Sequence, residues 1–93
     1  MIRVEWTETA LDELDAIRAY LGPFNPPAAH RVARALLAAG DSLSVLPNRG
    51  RPVPGIDQRE LVTSYSYIIR YRVHAGVVEV LRIRHTARRP TEP

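Results

Sequence analysis

Arg70 and Arg72 alternate along one predicted strand, and Arg82 and Arg84 along the next. A side-chain period of two sets each pair about 7 Å apart on one face. If the strand register brings both faces together, four guanidinium groups share one side of a sheet. Like charges opposite one another destabilise a sheet, so such a cluster calls for an anionic counterpart. Two sources are open: an external polyanion, or internal neutralisation by Glu60, Glu79 and the acidic first helix. His85 follows directly, then Arg88 and Arg89. An imidazole there suits general acid–base work near neutral pH, or it hydrogen-bonds at the strand end and orients the chain beyond. Tyr65, Tyr67 and Tyr71 interleave with these arginines. They suit either base stacking or packing within a sheet, and period-two spacing beside Ile69 and Val73 favours packing.

The charge distribution points the same way. All thirteen basic residues are arginine, and net charge is +3. Residues 1–46 hold four arginines and six acids, a balance of −2; residues 47–93 hold nine arginines and four acids, a balance of +5. Every basic site is therefore a permanently charged planar fork, and none can act as a lysine general base. A basic half suggests an acidic or polyanionic partner. Cysteine is absent, which removes disulfides and thiolate metal sites. His30 and His74 lack ligand spacing, and no phosphate loop or Ser-His-Asp set occurs. No metal and no cofactor are expected. No apolar run approaches the ~20 residues of a membrane span, and Met1–Glu5 lacks a signal-peptide core. A cytoplasmic protein without membrane contact is the expectation.

The elements that must position these residues can be read along the chain. Ile2, Val4 and Trp6 alternate with Arg3 and Glu5, predicting a short strand. Thr9 offers an N-cap, with Asp12 three residues on resembling a capping box, and Ala10, Leu11, Leu14, Ile17 and Leu21 make a helical stripe ended by Gly22-Pro23. Asn25-Pro26-Pro27 starts a second helix whose stripe, from Ala29 through Leu36 and Leu43, runs to Leu46 before Pro47. Gly40 is expected to loosen its middle by ~1 kcal/mol relative to alanine. The short connection makes an antiparallel helical hairpin. Residues 47–58 read as loop, Arg59–Thr63 as a strand, and Tyr67–Val73 and Val77–Arg84 as a hairpin turning at His74-Ala75-Gly76. On the last strand Leu81 and Ile83 are expected on one face and Arg82 and Arg84 on the other. The reading is a single α+β domain over residues 1–93, order β-α-α-β-β-β, with the helical hairpin packed on a mostly antiparallel sheet.

An ordered set of residues then resembles the ParE branch of the RelE/ParE toxins of bacterial toxin–antitoxin systems. The set is Val4, Trp6, Thr7, Ala10, Leu14, Ile17 and Tyr20, then Leu46-Pro47, Gly50-Arg51-Pro52 and Arg59-Glu60-Leu61-Val62. It continues as Tyr67 to Val73 and as Val80 to Pro90. The resemblance implies a toxin neutralised by a cognate antitoxin whose flexible C-terminal segment wraps it. In ParE-like members the implied target is DNA gyrase, inhibited by binding. In RelE-like members it is ribosome-bound mRNA, cleaved with basic residues, Lys among them, and often a C-terminal Tyr. The absent lysine and the Pro90–Pro93 ending depart from the nuclease pattern, so the ParE-like reading leads and an endoribonuclease using Arg82, Arg84 and His85 is the alternative. A plain nucleic-acid-binding module is a third. Target contacts are expected at Arg59, Arg70, Arg72, Arg82, Arg84, His85, Arg88 and Arg89, and antitoxin contacts at Leu11, Leu14, Arg18, Tyr67 and Tyr71.

Overall fold

The first strand and the last lie side by side, although almost the whole chain separates them. In the computed structural model, which describes residues 1–87, the elements are β1 (Arg3–Trp6), α1 (Glu8–Leu21), α2 (Pro26–Asp41), β2 (Arg51–Pro52), β3 (Arg59–Val62), β4 (Tyr67–His74) and β5 (Val77–His85). They form one sheet in the order β1-β5-β4-β3-β2. The β1–β5 pair is parallel and every other pair antiparallel. The helices cover one face of this α+β fold. Their stripes, Ala10 and Leu14 with Val32, Ala33 and Leu36, meet Leu61, Ile69, Tyr71, Val78, Val80 and Ile83 in one core. The other face of the sheet carries Arg70, Arg72 and Arg82 with Glu60 and Glu79.

Helix α1 begins two residues earlier than the Thr9 cap predicts. Thr7 is the N-cap: its hydroxyl accepts the Ala10 N–H at 3.1 Å and donates to the Leu81 carbonyl at 3.1 Å. Strand β1 ends at Trp6, so the helix must start there to return over the sheet. Asn25 caps α2 as expected, accepting from the Ala28 N–H. That helix stops at Asp41, and Ser42–Ser44 form a 3-10 turn that still buries Leu43. The apolar stripe beyond it ends in exposed Val45 and Leu46.

Gly40 is a packing requirement and not a weak point. A Cβ there would clash with Cζ2 on the edge of the Trp6 ring. Gly50 is equally constrained, because its Cβ would lie 2.8 Å from the Glu60 carbonyl oxygen and from the Tyr71 ring. The 47–58 segment therefore contains a short edge strand that its three prolines and two glycines conceal: Arg51 pairs with Glu60 and Pro52 with Arg59. The β4–β5 turn takes φ of 53° at Ala75 and 74° at Gly76, the paired positive angles of a tight primed hairpin.

One irregularity changes the predicted faces of β5. Arg70 pairs with Arg82, but Tyr71 pairs with Val80, leaving Leu81 as the extra residue of a β-bulge. Val78, Val80 and Ile83 are buried, whereas Leu81 is only half-buried. Leu81 and Ile83 therefore do not share a face. A bulge inserts one residue and shifts the alternation beyond it, which period-two reading cannot anticipate.

Candidate functional site

The bulge sets the arginines in register across the hairpin: Arg70 opposite Arg82, Ile68 opposite Arg84, and Arg72 opposite Glu79. Each of three guanidinium groups then meets a carboxylate. Arg70 donates to Glu60 on β3 and, at 2.9 Å, to the Gln58 side-chain carbonyl. Arg72 reaches Glu79 at 2.8 Å. Arg82 turns to α1 and donates to Glu13 at 2.8–2.9 Å. This hydrogen bond, and the charge of Glu13, raise the Arg82 pKa above the ordinary arginine value, against a small opposing effect of burial.

Glu13 does more than neutralise Arg82. Beyond Val80 strand β5 has lost its β1 neighbour, so its outer backbone groups need other partners. The Thr7 N–H donates to the Val80 carbonyl and the Thr7 hydroxyl to that of Leu81, while the Ile83 N–H donates to Glu13 at 2.7 Å. The first turns of α1 thus close the exposed edge of the bulged strand. In the sequence Glu13 is one acid of the acidic first helix; its role depends on a contact 70 residues away.

Arg84 stands apart. Among the described residues it makes no ion pair, and with Gln58, Arg70, Leu81 and Arg82 it lines a shallow depression of about 280 Å³. His85 sits one residue on, across from Tyr67, its ring edge-on to the tyrosine at 4.9 Å between centroids. Its Nδ1 accepts the Ala87 N–H at 3.0 Å. The adjacent Thr86 N–H donates to the Ser66 carbonyl at 2.8 Å, so the strand end is tied to the β3–β4 turn. That turn is strained, with Tyr65 and Ser66 both at positive φ near 65°, a region costly for residues with a Cβ. Arg88 and Arg89 lie outside the described residues.

The remaining expected contacts divide sharply. Arg59 ties the loop, donating to the carbonyls of Gly50 at 2.7 Å and Asn48 at 3.3 Å. Tyr71 is fully buried; its hydroxyl donates to the Pro47 carbonyl and accepts the Gly50 N–H. Tyr67 and Leu14 are also core residues. They cannot offer their side chains to a partner in this conformation, because the sheet and helix stripes that made them look like docking positions are the stripes that close the core. Leu11 and Arg18 do face outward on α1, Arg18 beside Asp15 at 2.7 Å. Among the described residues no cluster of His, Cys, Asp and Glu could hold a metal ion, and no helix is long and apolar enough to cross a membrane.

This geometry has known counterparts. The chromosomal ParDE toxin–antitoxin system from P. aeruginosa contains a chain that superposes with a TM-score of 0.81 at 24% identity, over 91% of this chain and 96% of that one. The RelBE2 toxin–antitoxin complex from Mycobacterium tuberculosis gives 0.69 at 22% identity, over 90% and 96%. At these identities the likeness defines a fold class, a two-helix hairpin on a mixed five-stranded sheet. The sequence carries the assignment further. The model of the ParE toxin of type II toxin–antitoxin systems, parDE, matches residues 4–90. Toxin RelE2 of Caulobacter vibrioides is 50% identical over 88 residues, covering 95% of this chain and 99% of that protein. Putative toxin Y4kP of Sinorhizobium fredii is 42% identical over 84 residues, covering 89% and 86%. The chain belongs to the ParE toxin family of type II toxin–antitoxin systems.

Proposed function

We propose that this toxin acts by binding, that its target is DNA gyrase, and that a cognate antitoxin holds it inactive. The observation that carries the binding mode is the pairing of the hairpin arginines with Glu60, Glu79 and Glu13. Phosphodiester cleavage needs cations free to meet the charge that develops on the phosphorane. Here three of the four hairpin arginines are already held in internal ion pairs, and the Glu13 carboxylate that takes Arg82 also holds the Ile83 N–H. A recognition face has no such need, since alternating charges fix orientation and exclude wrong partners. Arg84, unpaired among the described residues, supplies the outstanding positive charge, and His85 and the ordered strand end fix its surroundings. The family's ParE character supports gyrase as the target. Antitoxin partnership is supported by the family's place in toxin–antitoxin systems and by the two similar structures, each of a toxin–antitoxin system; Leu11 and Arg18 are the outward residues of α1 assigned to that contact.

The test is inhibition of gyrase supercoiling by purified toxin, relieved by co-purified antitoxin and by Arg84→Glu. The names of the relatives favour a second reading, because the 50% identical protein is called RelE2. Codon-positioned mRNA cleavage in a translation reaction, abolished by His85→Ala, would replace the binding mechanism with a nuclease one.

A further inference from the structure

Strand β2 covers β3 only in part. Their register pairs Arg51 with Glu60 and Pro52 with Arg59. Continued by two residues, it would set Arg49 opposite Val62. The chain does not continue it: the Arg49 N–H turns back to the Leu46 carbonyl at 3.1 Å and the Arg49 side chain donates to the Ser42 hydroxyl at 2.7 Å. On the other side, the Thr63 N–H donates to the Tyr67 carbonyl. Hydrogen-bonding sides alternate along an antiparallel strand, so Thr63 faces β4 and Val62 turns its N–H and C=O outward, into the slot that β2 vacates.

That slot opens on a groove. Ala35, Ala38 and Ala39 of α2 line it together with Leu61, Val62, Thr63, Ser64 and Arg49, around a volume of about 360 Å³. Val62 is 55% exposed. Among the described residues Arg49 has no carboxylate partner, and neither do Arg31 and Arg34, one helical turn before Ala35 and Ala38. The groove thus joins three features: an unfilled backbone position, a wall of small apolar side chains, and positive charge with nothing to balance it.

We infer that this groove takes an extended acidic peptide segment of a partner protein, added as a strand beside Val62 in line with β2. Main-chain bonds to Val62 supply the attachment, while alternate side chains of the incoming strand supply selectivity. Inward positions must be small and apolar to lie against Ala35, Ala38 and Ala39. A flanking glutamate or aspartate meets Arg49. An unfilled edge position is also a liability for self-association, and the basic rim repels a second copy of the same edge while attracting an acidic strand. The inference is independent of the gyrase assignment, because it concerns the β3–β2 edge of the sheet and no residue of the arginine hairpin.

A capped octapeptide alternating valine and glutamate, titrated into the full chain and followed by backbone amide NMR, tests it. The expected result is saturable shift changes at Val62, Ser64, Ala35 and Ala38. Affinity should fall about tenfold or more in Arg49→Glu, and likewise in Ala38→Arg, which fills the groove from an exposed helical position. The same peptide with lysine for glutamate should not bind. Val62→Pro, which removes the outward N–H donor, should abolish binding while thermal unfolding stays cooperative; if it fails to fold, the Ala38→Arg result decides. Absence of binding at millimolar peptide, shifts confined to other surfaces, or equal affinity in Arg49→Glu and Ala38→Arg would each overturn the proposal. None of these outcomes bears on supercoiling inhibition.

Discussion

Glu13 holds two donors, the Ile83 N–H and the Arg82 guanidinium, and the two interactions differ in worth. Removing a carboxylate that satisfies a half-buried backbone N–H leaves that group unpaired, at a cost of about 1–3 kcal/mol. Removing Arg82 breaks only a pair whose cation is half exposed, worth at most about 1 kcal/mol. Chemical denaturation should therefore show Glu13→Ala destabilised clearly more than Arg82→Ala; equal losses would mean that the edge closure contributes nothing. The pH behaviour follows from the raised Arg82 pKa. A cation whose folded pKa lies above its unfolded one stabilises fully below the unfolded value and loses that contribution only as pH rises through the folded one. The Arg82→Ala difference should thus stay flat between about pH 6 and 9. Tyr71 makes a comparable point inside the core. Tyr71→Phe strips the Gly50 N–H and the Pro47 carbonyl of their partner and should cost about 1–3 kcal/mol by urea melts, with the 47–50 loop exchanging its amides faster. The residue types on the hairpin were readable in the sequence, including their possible neutralisation by Glu60, Glu79 and the acidic helix. Which carboxylate takes which arginine was not, since Glu13 and Arg82 are brought together by the fold and not by spacing.

Thr7 and Thr9 both precede apolar helical residues, and sequence pattern favoured Thr9 because Asp12 follows at capping-box spacing. The structure gives the cap to Thr7, whose hydroxyl also serves Leu81. Thr7→Ala should accordingly cost about 1 kcal/mol or more, and Thr9→Ala, at an exposed site, no more than about 0.5 kcal/mol. The reverse order in thermal melts would return the cap to Thr9. Gly40 inverts its propensity expectation: alanine is the better helix former, yet Gly40→Ala drives a methyl into Trp6 and should destabilise by about 1–3 kcal/mol. A neutral or stabilised variant would show that Trp6 can move aside. Helices, the β4–β5 hairpin and its turn were all readable from periodicity and turn chemistry. Strand β2 and the Leu81 bulge were not, because a two-residue strand containing proline has no periodicity and a bulge breaks the period on which face assignment depends.

At the scale of the molecule, the parallel β1–β5 pair makes the sheet mixed and brings α1 against the bulged strand, so the acidic N-terminal half balances part of the basic C-terminal half internally. The uneven charge along the chain is therefore not a measure of the charge a partner meets. On the arginine hairpin, among the described residues, what remains is Arg84 near the end of β5, and the central claim is that this end engages gyrase by binding. The most direct measurement is ATP-dependent supercoiling of relaxed plasmid by gyrase, with folded toxin and its Arg84→Glu variant at matched concentrations. The toxin is expected to block supercoiling, and Arg84→Glu, equally stable, to lose the block by about tenfold or more in concentration. Undiminished supercoiling at saturating folded toxin, or equal inhibition by Arg84→Glu, would contradict it.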